Sequence, residues 1–76
     1  MDRKSARFIA QDLLKKTSEI YDIWERMGVV YKDKFGDWSL TELGKTLGGK
    51  MSKGSALSVP TFEKDIIIEA MRRFLK

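Results

Sequence analysis

The sequence predicts a small, mainly α-helical domain that contains one β-hairpin and is completed by a C-terminal helix. Apolar residues recur at helical spacing over residues 5–27 and again over residues 61–75. Between these segments, two short runs rich in β-branched and aromatic residues flank a charged turn within residues 29–40. The length of 76 residues allows a single domain, near the lower limit for a chain that folds without help.

Residues 5–27 favour two helices joined by a tight turn, although the same period also fits one continuous helix. Capping residues in the segment 15–18 favour the turn, since Thr17 or Ser18 can cap a second helix. Ser5 is the expected N-cap of the first helix, and Gly28 is expected to end the second. The first apolar face comprises Ala6, Ile9, Ala10, Leu13 and Leu14. The second comprises Ile20, Ile23, Trp24 and Met27.

The segment 29–40 is predicted to form the hairpin, with its charged loop at residues 32–36. One or two helical turns are expected over residues 41–47. A third strand is predicted over residues 56–59, and Pro60 should place it at a sheet edge or end it.

The C-terminal helix, predicted over residues 61–75, carries acidic residues in its first turn and basic residues in its last, as the helix dipole favours. Ile68 falls outside its apolar stripe and is expected to be exposed or to touch a partner. The stripe leaves two alternatives open, packing within one chain or contact with a second copy in a homodimer. The stripe comprises Phe62, Ile66, Ile67, Ala70, Met71, Phe74 and Leu75.

Composition excludes several classes of function. The chain has no cysteine, which excludes disulfides and thiolate zinc sites, and no histidine, which excludes Ser-His-Asp chemistry. We find no catalytic constellation, so we expect neither an enzyme nor a bound cofactor or metal. The longest uncharged stretch, residues 54–62, is far shorter than the roughly 20 residues that span a bilayer. The first four residues also lack the apolar run of a signal peptide after them.

Helix, turn, helix and a hairpin with a charged tip is the element order of a winged helix-turn-helix, with the C-terminal helix completing the core. A second helix of about three turns fits the major groove of DNA, and a hairpin tip reaches the backbone beside it. The net charge of +4, from 15 basic and 11 acidic residues, is compatible with DNA binding. Double-stranded DNA is therefore the leading partner. The residues expected to contact it are Lys15, Lys16, Thr17, Ser18, Tyr21, Arg26, Lys32 and Lys34.

The second helix also supports an alternative, because three of its exposed residues are acidic and would approach phosphate unfavourably. In this alternative Glu19, Asp22 and Glu25 bind a basic surface on another protein. Trp24 and Trp38 are expected to serve the core.

Three stretches of the chain resemble the C-terminal, KilAC-type domain of phage antirepressors. The resemblance lies in the order and spacing of Ser5–Leu13, Glu25–Lys32 and Gly36–Thr41, and with the stretch that follows it covers about residues 5–50. The stretch Leu40–Gly49 is also similar to the end of the wing in bacterial winged-helix regulators. The resemblance implies a DNA-binding regulatory protein of phage or prophage type, or an antirepressor-like inhibitor that binds a basic surface on a host or phage protein. It also implies the cytoplasm of a bacterial host cell as the location.

Overall fold

The computed structural model describes residues 3–52 and 58–76. In this part of the chain about half of the structure is helical and the strands are short and antiparallel, so the fold belongs to the α+β class. The elements are β1 Arg3–Ser5, α1 Ala6–Leu13, α2 Thr17–Met27, β2 Val30–Lys32, β3 Trp38–Leu40, α3 Glu42–Thr46, β4 Lys50–Met51, β5 Pro60–Glu63 and α4 Lys64–Leu75.

The predicted pair of helices is confirmed, with different caps. Ser5 occupies the N-cap position of α1, but its side chain makes no capping hydrogen bond. Lys16 precedes α2, so the expected cap at Thr17 or Ser18 is wrong. The backbone N–H of Lys16 donates a hydrogen bond to the Glu19 carboxylate at 3.2 Å. This bond satisfies one of the N–H groups that have no partner within the helix at its start. Leu14 lies beyond the end of α1 and is 94% exposed, so its assignment to the apolar face is also wrong.

The predicted hairpin is confirmed as β2 and β3, in a register that pairs Val30 with Leu40. Both of these side chains are buried and hold the hairpin on the core. The loop is organised by Asp33, whose carboxylate accepts hydrogen bonds from the backbone N–H groups of Phe35 and Asp37. These hydrogen bonds within the loop fix the conformation of the hairpin tip.

A three-stranded sheet in the order β1-β5-β4 was not predicted, and it corrects the expected mainly α class. Residues 61–63 belong to β5 and not to the C-terminal helix, which begins at Lys64. Pro60 is the first residue of the central strand, a position that proline tolerates. The expectation that it marks a sheet edge or the end of a strand is therefore wrong. The strand predicted over 56–59 is not found at Ser58 and Val59, while residues 56 and 57 lie outside the described part.

The new strand places Phe62 in the centre of the core, where its ring meets Trp24 at 4.9 Å between centroids. Phe62 fills this space from β5, and α4 packs on the core with only part of the predicted stripe. Ile67 and Met71 are buried, and the indole N–H of Trp24 points at the Met71 sulfur at 3.4 Å. Ile68 packs on the core, which corrects the expectation that it is exposed. Three residues of the predicted stripe face solvent: Ile66, Phe74 and Leu75.

Helix α3 confirms the predicted helical turns after the hairpin. Thr41 caps it by accepting a hydrogen bond from the Gly44 N–H at 3.0 Å. No helix in the described ranges is both long and apolar enough to cross a membrane.

Candidate nucleic-acid interface

The segment between α1 and α2 is a turn of three exposed residues, Leu14, Lys15 and Lys16, which we call the basic turn. Leu14 has φ of 56° and ψ of 43°, the left-handed conformation that glycine favours. The backbone N–H of Lys15 donates to the Ala10 carbonyl at 2.9 Å, and that of Leu14 donates to the Gln11 carbonyl at 3.3 Å. These two bonds form a Schellman motif, which ends α1 and projects both lysines into solvent.

Helix α2 exposes the acidic face that the sequence predicts, and two of its carboxylates already have partners in the chain. Asp22 forms an ion pair with Arg26 at 3.3 Å, and Glu19 accepts the Lys16 N–H. Glu25 is exposed. The Asp22–Arg26 pair is itself exposed, and pairs of this kind stabilise a helix by only about 0.3–0.5 kcal/mol. Arg26 can therefore exchange this partner for a phosphate at little cost.

Tyr21 links α2 to the hairpin. Its ring is stacked on Trp38, with centroids 4.9 Å apart and planes within 3° of parallel. The Lys32 ammonium group lies 5.3 Å from the centroid of Trp38, close enough for a cation–π contact. Burial raises the pKa of the Tyr21 hydroxyl above its ordinary value of 10.0. Tyr21 therefore acts first as a packing residue that holds Lys32 beside α2.

The hairpin tip carries Lys34 and Phe35. Phe35 is 78% exposed, and the Lys34 ammonium group lies 5.3 Å from its ring centroid. An exposed aromatic ring next to a cation is suited to contact with a sugar–phosphate backbone or a groove wall. Within the described residues, Lys34 has no acidic side chain within ion-pair distance.

The predicted site residues fall into three groups. Lys15, Lys16 and the exposed Ser18 lie at the N-terminal end of α2, together with the half-buried Thr17. Arg26 lies at the opposite end of that helix, about 15 Å away at 1.5 Å per residue. Lys32 and Lys34 belong to the hairpin, and the Tyr21–Trp38 stack brings Lys32 next to α2.

Two features of this surface could not be read from the sequence. Leu14 lies at a spacing that fits the buried face of α1. It is exposed because α1 ends at Leu13, and the sequence pattern does not show that end. Trp38 was expected in the core, yet it is only half-buried and supports Lys32 as well as packing. In the part of the chain that the structure describes, no group of three or more acidic side chains is placed to hold a metal ion.

Comparison with known proteins finds no matching family model, no matching curated protein and no matching solved structure.

Proposed function

We propose that the protein binds double-stranded DNA as a regulatory protein of phage or prophage type, with the arrangement of a winged helix-turn-helix. In this arrangement α1 and α2 are the helix pair and β2–β3 is the wing. The basic turn and the hairpin supply the cationic contacts on either side of α2. The resemblance of residues 5–50 to the antirepressor C-terminal domain agrees with such a role.

One observation carries this proposal: lysines without an ion-pair partner among the described residues lie on the basic turn and on the hairpin next to α2. Among the described residues, none of the lysines at positions 15, 16, 32 and 34 has an ion-pair partner. Two of the three predicted acidic contacts, Glu19 and Asp22, are engaged within the chain. Phosphates can therefore approach the turn and the hairpin without displacing an existing pair. The N-terminal end of α2 adds the positive end of the helix dipole to the same region.

The proposed contacts are mainly with the DNA backbone. An acidic helix face is a poor reader of base edges, because its carboxylates meet the negative potential of the groove. We therefore expect affinity to fall steeply with salt and to depend weakly on base sequence. Ser18 and Arg26 are the exposed residues of α2 whose side chains can donate hydrogen bonds to the groove.

Fluorescence anisotropy with a labelled duplex tests the proposal, with salt varied from about 50 to about 200 mM. The double variant Lys15→Gln/Lys16→Gln should lower the slope of log affinity against log salt by roughly one unit for each lost phosphate contact. Lys32→Gln/Lys34→Gln should have a similar effect. Lys45→Gln is the matched control, because Lys45 already pairs with Glu42 on α3 and lies outside the proposed contacts. Failure of the unmodified protein to bind any duplex at low salt would refute the proposal.

The exposure of Glu19, Asp22 and Glu25 on α2 favours one second candidate, the binding of a basic protein surface. Charge reversal at Glu25 separates the two candidates, since this carboxylate has no hydrogen bond or ion pair in the described structure. Glu25→Lys should strengthen binding to duplex DNA if the DNA proposal is correct. If a basic protein is the partner, the same substitution should weaken capture of that protein.

A further inference from the structure

The outward face of α4 is an apolar surface with a defined shape. Ile66 is 43% exposed and Phe74 is 44% exposed, one turn to either side of the half-buried Ala70. Beside this row is an open groove of about 430 Å³. The groove is lined by Leu47, Asp65, Ile66, Glu69, Ala70 and Arg73. A small residue between two large ones lets a second helix approach closely at the middle of the row.

The net charge of α4 differs between its two halves. Asp65 and Glu69 lie in the N-terminal half, whereas Arg72 and Arg73 lie in the C-terminal half. Lys64 also lies in the N-terminal half, and it forms an ion pair with Asp12 of α1 at 2.8 Å. The chain also ends with Lys76 at the basic end. Glu69 and Arg73 form an ion pair at 3.4 Å, but both are exposed and contribute little to stability. The helix is therefore complementary in charge to a copy of itself that runs in the opposite direction.

We infer that α4 is the interface of a homodimer in which the two α4 helices pair antiparallel. Ala70 lies near the two-fold axis, and Ile66 packs against the partner subunit's Phe74. Each acidic half then faces a basic half, and the helix dipoles oppose one another. A parallel pair would bring like charges together, so the charge pattern selects the antiparallel arrangement. Such a contact is closed and isologous, as two-fold dimers require.

The interface is small, which sets the expected strength of the dimer. Stable interfaces bury about 800 Å² on each partner, and a single helix face with three to four apolar contacts offers less. We therefore expect a dimer that dissociates in roughly the micromolar to millimolar range. This inference stands independently of the proposed DNA binding, since it uses none of the residues of the basic turn or the hairpin.

Disulfide cross-linking tests the geometry directly, because the chain contains no cysteine of its own. The Ala70→Cys variant should form a covalent dimer on mild oxidation, several-fold more than Ser18→Cys, an exposed control on α2. Ile66→Cys and Phe74→Cys should cross-link poorly when separate and efficiently when mixed. Preferential linkage of Ile66→Cys to itself would overturn the antiparallel arrangement. Linkage at Ala70→Cys no greater than at the control would overturn the interface.

Sedimentation velocity over a range of concentrations gives a second, non-covalent readout. The unmodified protein should shift toward dimer as its concentration rises, and Glu69→Arg should abolish the shift. Adding Arg73→Glu to that variant restores opposite charges across the antiparallel pair and should recover dimerisation. Circular dichroism shows whether each variant keeps its fold. A monomer at every concentration would refute the inference.

Discussion

Helices α1 and α2 end with the same pattern of hydrogen bonds but with very different residues. Both ends are Schellman motifs, in which the two N–H groups after the helix bond back to its last turn. At the end of α2 the left-handed position is Gly28, with φ of 79°. At the end of α1 the same position is Leu14, with φ of 56°, the only non-glycine residue with positive φ in the described structure.

The surroundings of the two ends differ as much as their residues do. Gly28 leads into the buried Val29, and Thr41 holds the junction by donating its hydroxyl hydrogen to the Gly28 carbonyl and its N–H to the Val29 carbonyl. Leu14 leads into Lys15 and Lys16, which are exposed and have no ion-pair partner within residues 3–52 and 58–76. The end of α2 is therefore shaped by the fold. The end of α1 is free of the core, and its side chains are available to a partner.

The largest expected effect tests how tightly the end of α2 is held. A Cβ atom at Gly44 would lie 2.2 Å from the Val29 carbonyl oxygen, which is backbone and cannot rotate away. Gly44→Ala should therefore force α3 away from the α2 junction and cost at least about 3 kcal/mol of unfolding free energy. Urea denaturation measures this loss. Lys45→Ala, on the same helix but exposed, should change stability by no more than about 0.5 kcal/mol. Equal stability of the two variants would contradict the close contact.

A smaller effect is expected from the hydroxyl group that joins this junction to α3. The Thr41 oxygen accepts from the Gly44 N–H and donates to the Gly28 carbonyl. Thr41→Val keeps the shape of the side chain and removes both hydrogen bonds, so it should cost about 1–2 kcal/mol. Thr41→Ser keeps the hydroxyl group and is the matched control. Thermal unfolding should show a clearly lower Tm for the valine variant alone. An equal loss in both variants would contradict the assignment of the effect to the hydroxyl group.

The same comparison shows what could be predicted from sequence. The end of α2 was predictable, since Gly28 follows the last apolar residue of a regular helical period. The end of α1 was not predictable, because Leu14 lies at the helical spacing of the apolar residues before it although the helix ends at Leu13. Strand β5 was missed for a related reason. Phe62 lies at helical spacing from Ile66, and its pairing with Lys4 at the other end of the chain leaves no local signal.

The candidate site was predictable only in part. The exposed lysines of the basic turn and the hairpin could be named from local pattern, and so could the acidic face of α2. The stack of Tyr21 on Trp38 depends on how the hairpin packs against α2, which is a tertiary contact between distant segments. The outward face of α4 was also unpredictable, because helical spacing alone does not show which part of its apolar stripe packs on the core.

The smallest expected effect is an increase in stability at the end of α1. Leu14 is 94% exposed and holds a left-handed conformation that costs a residue with a Cβ atom about 1 kcal/mol. Leu14→Gly removes this strain without removing buried apolar surface. Part of the gain is offset because glycine has more freedom in the unfolded chain. Unfolding free energy should therefore rise by about 0.5 kcal/mol, a Tm increase of roughly 2–4 °C for a domain of this size.

Two further variants make this prediction specific to the backbone. Leu14→Ala keeps the Cβ atom and the strain, so its stability should match that of the unmodified protein. Gly28→Ala places a Cβ atom at the corresponding position of α2, where the nearest atom is 3.9 Å away, and should destabilise by about 1 kcal/mol through backbone strain alone. If Leu14→Gly instead lowers stability, the leucine side chain stabilises the turn itself. If Leu14→Gly raises stability and weakens DNA binding, the leucine side chain contributes to DNA binding while its backbone strain lowers the stability of the fold. Strained residues are often found at binding surfaces.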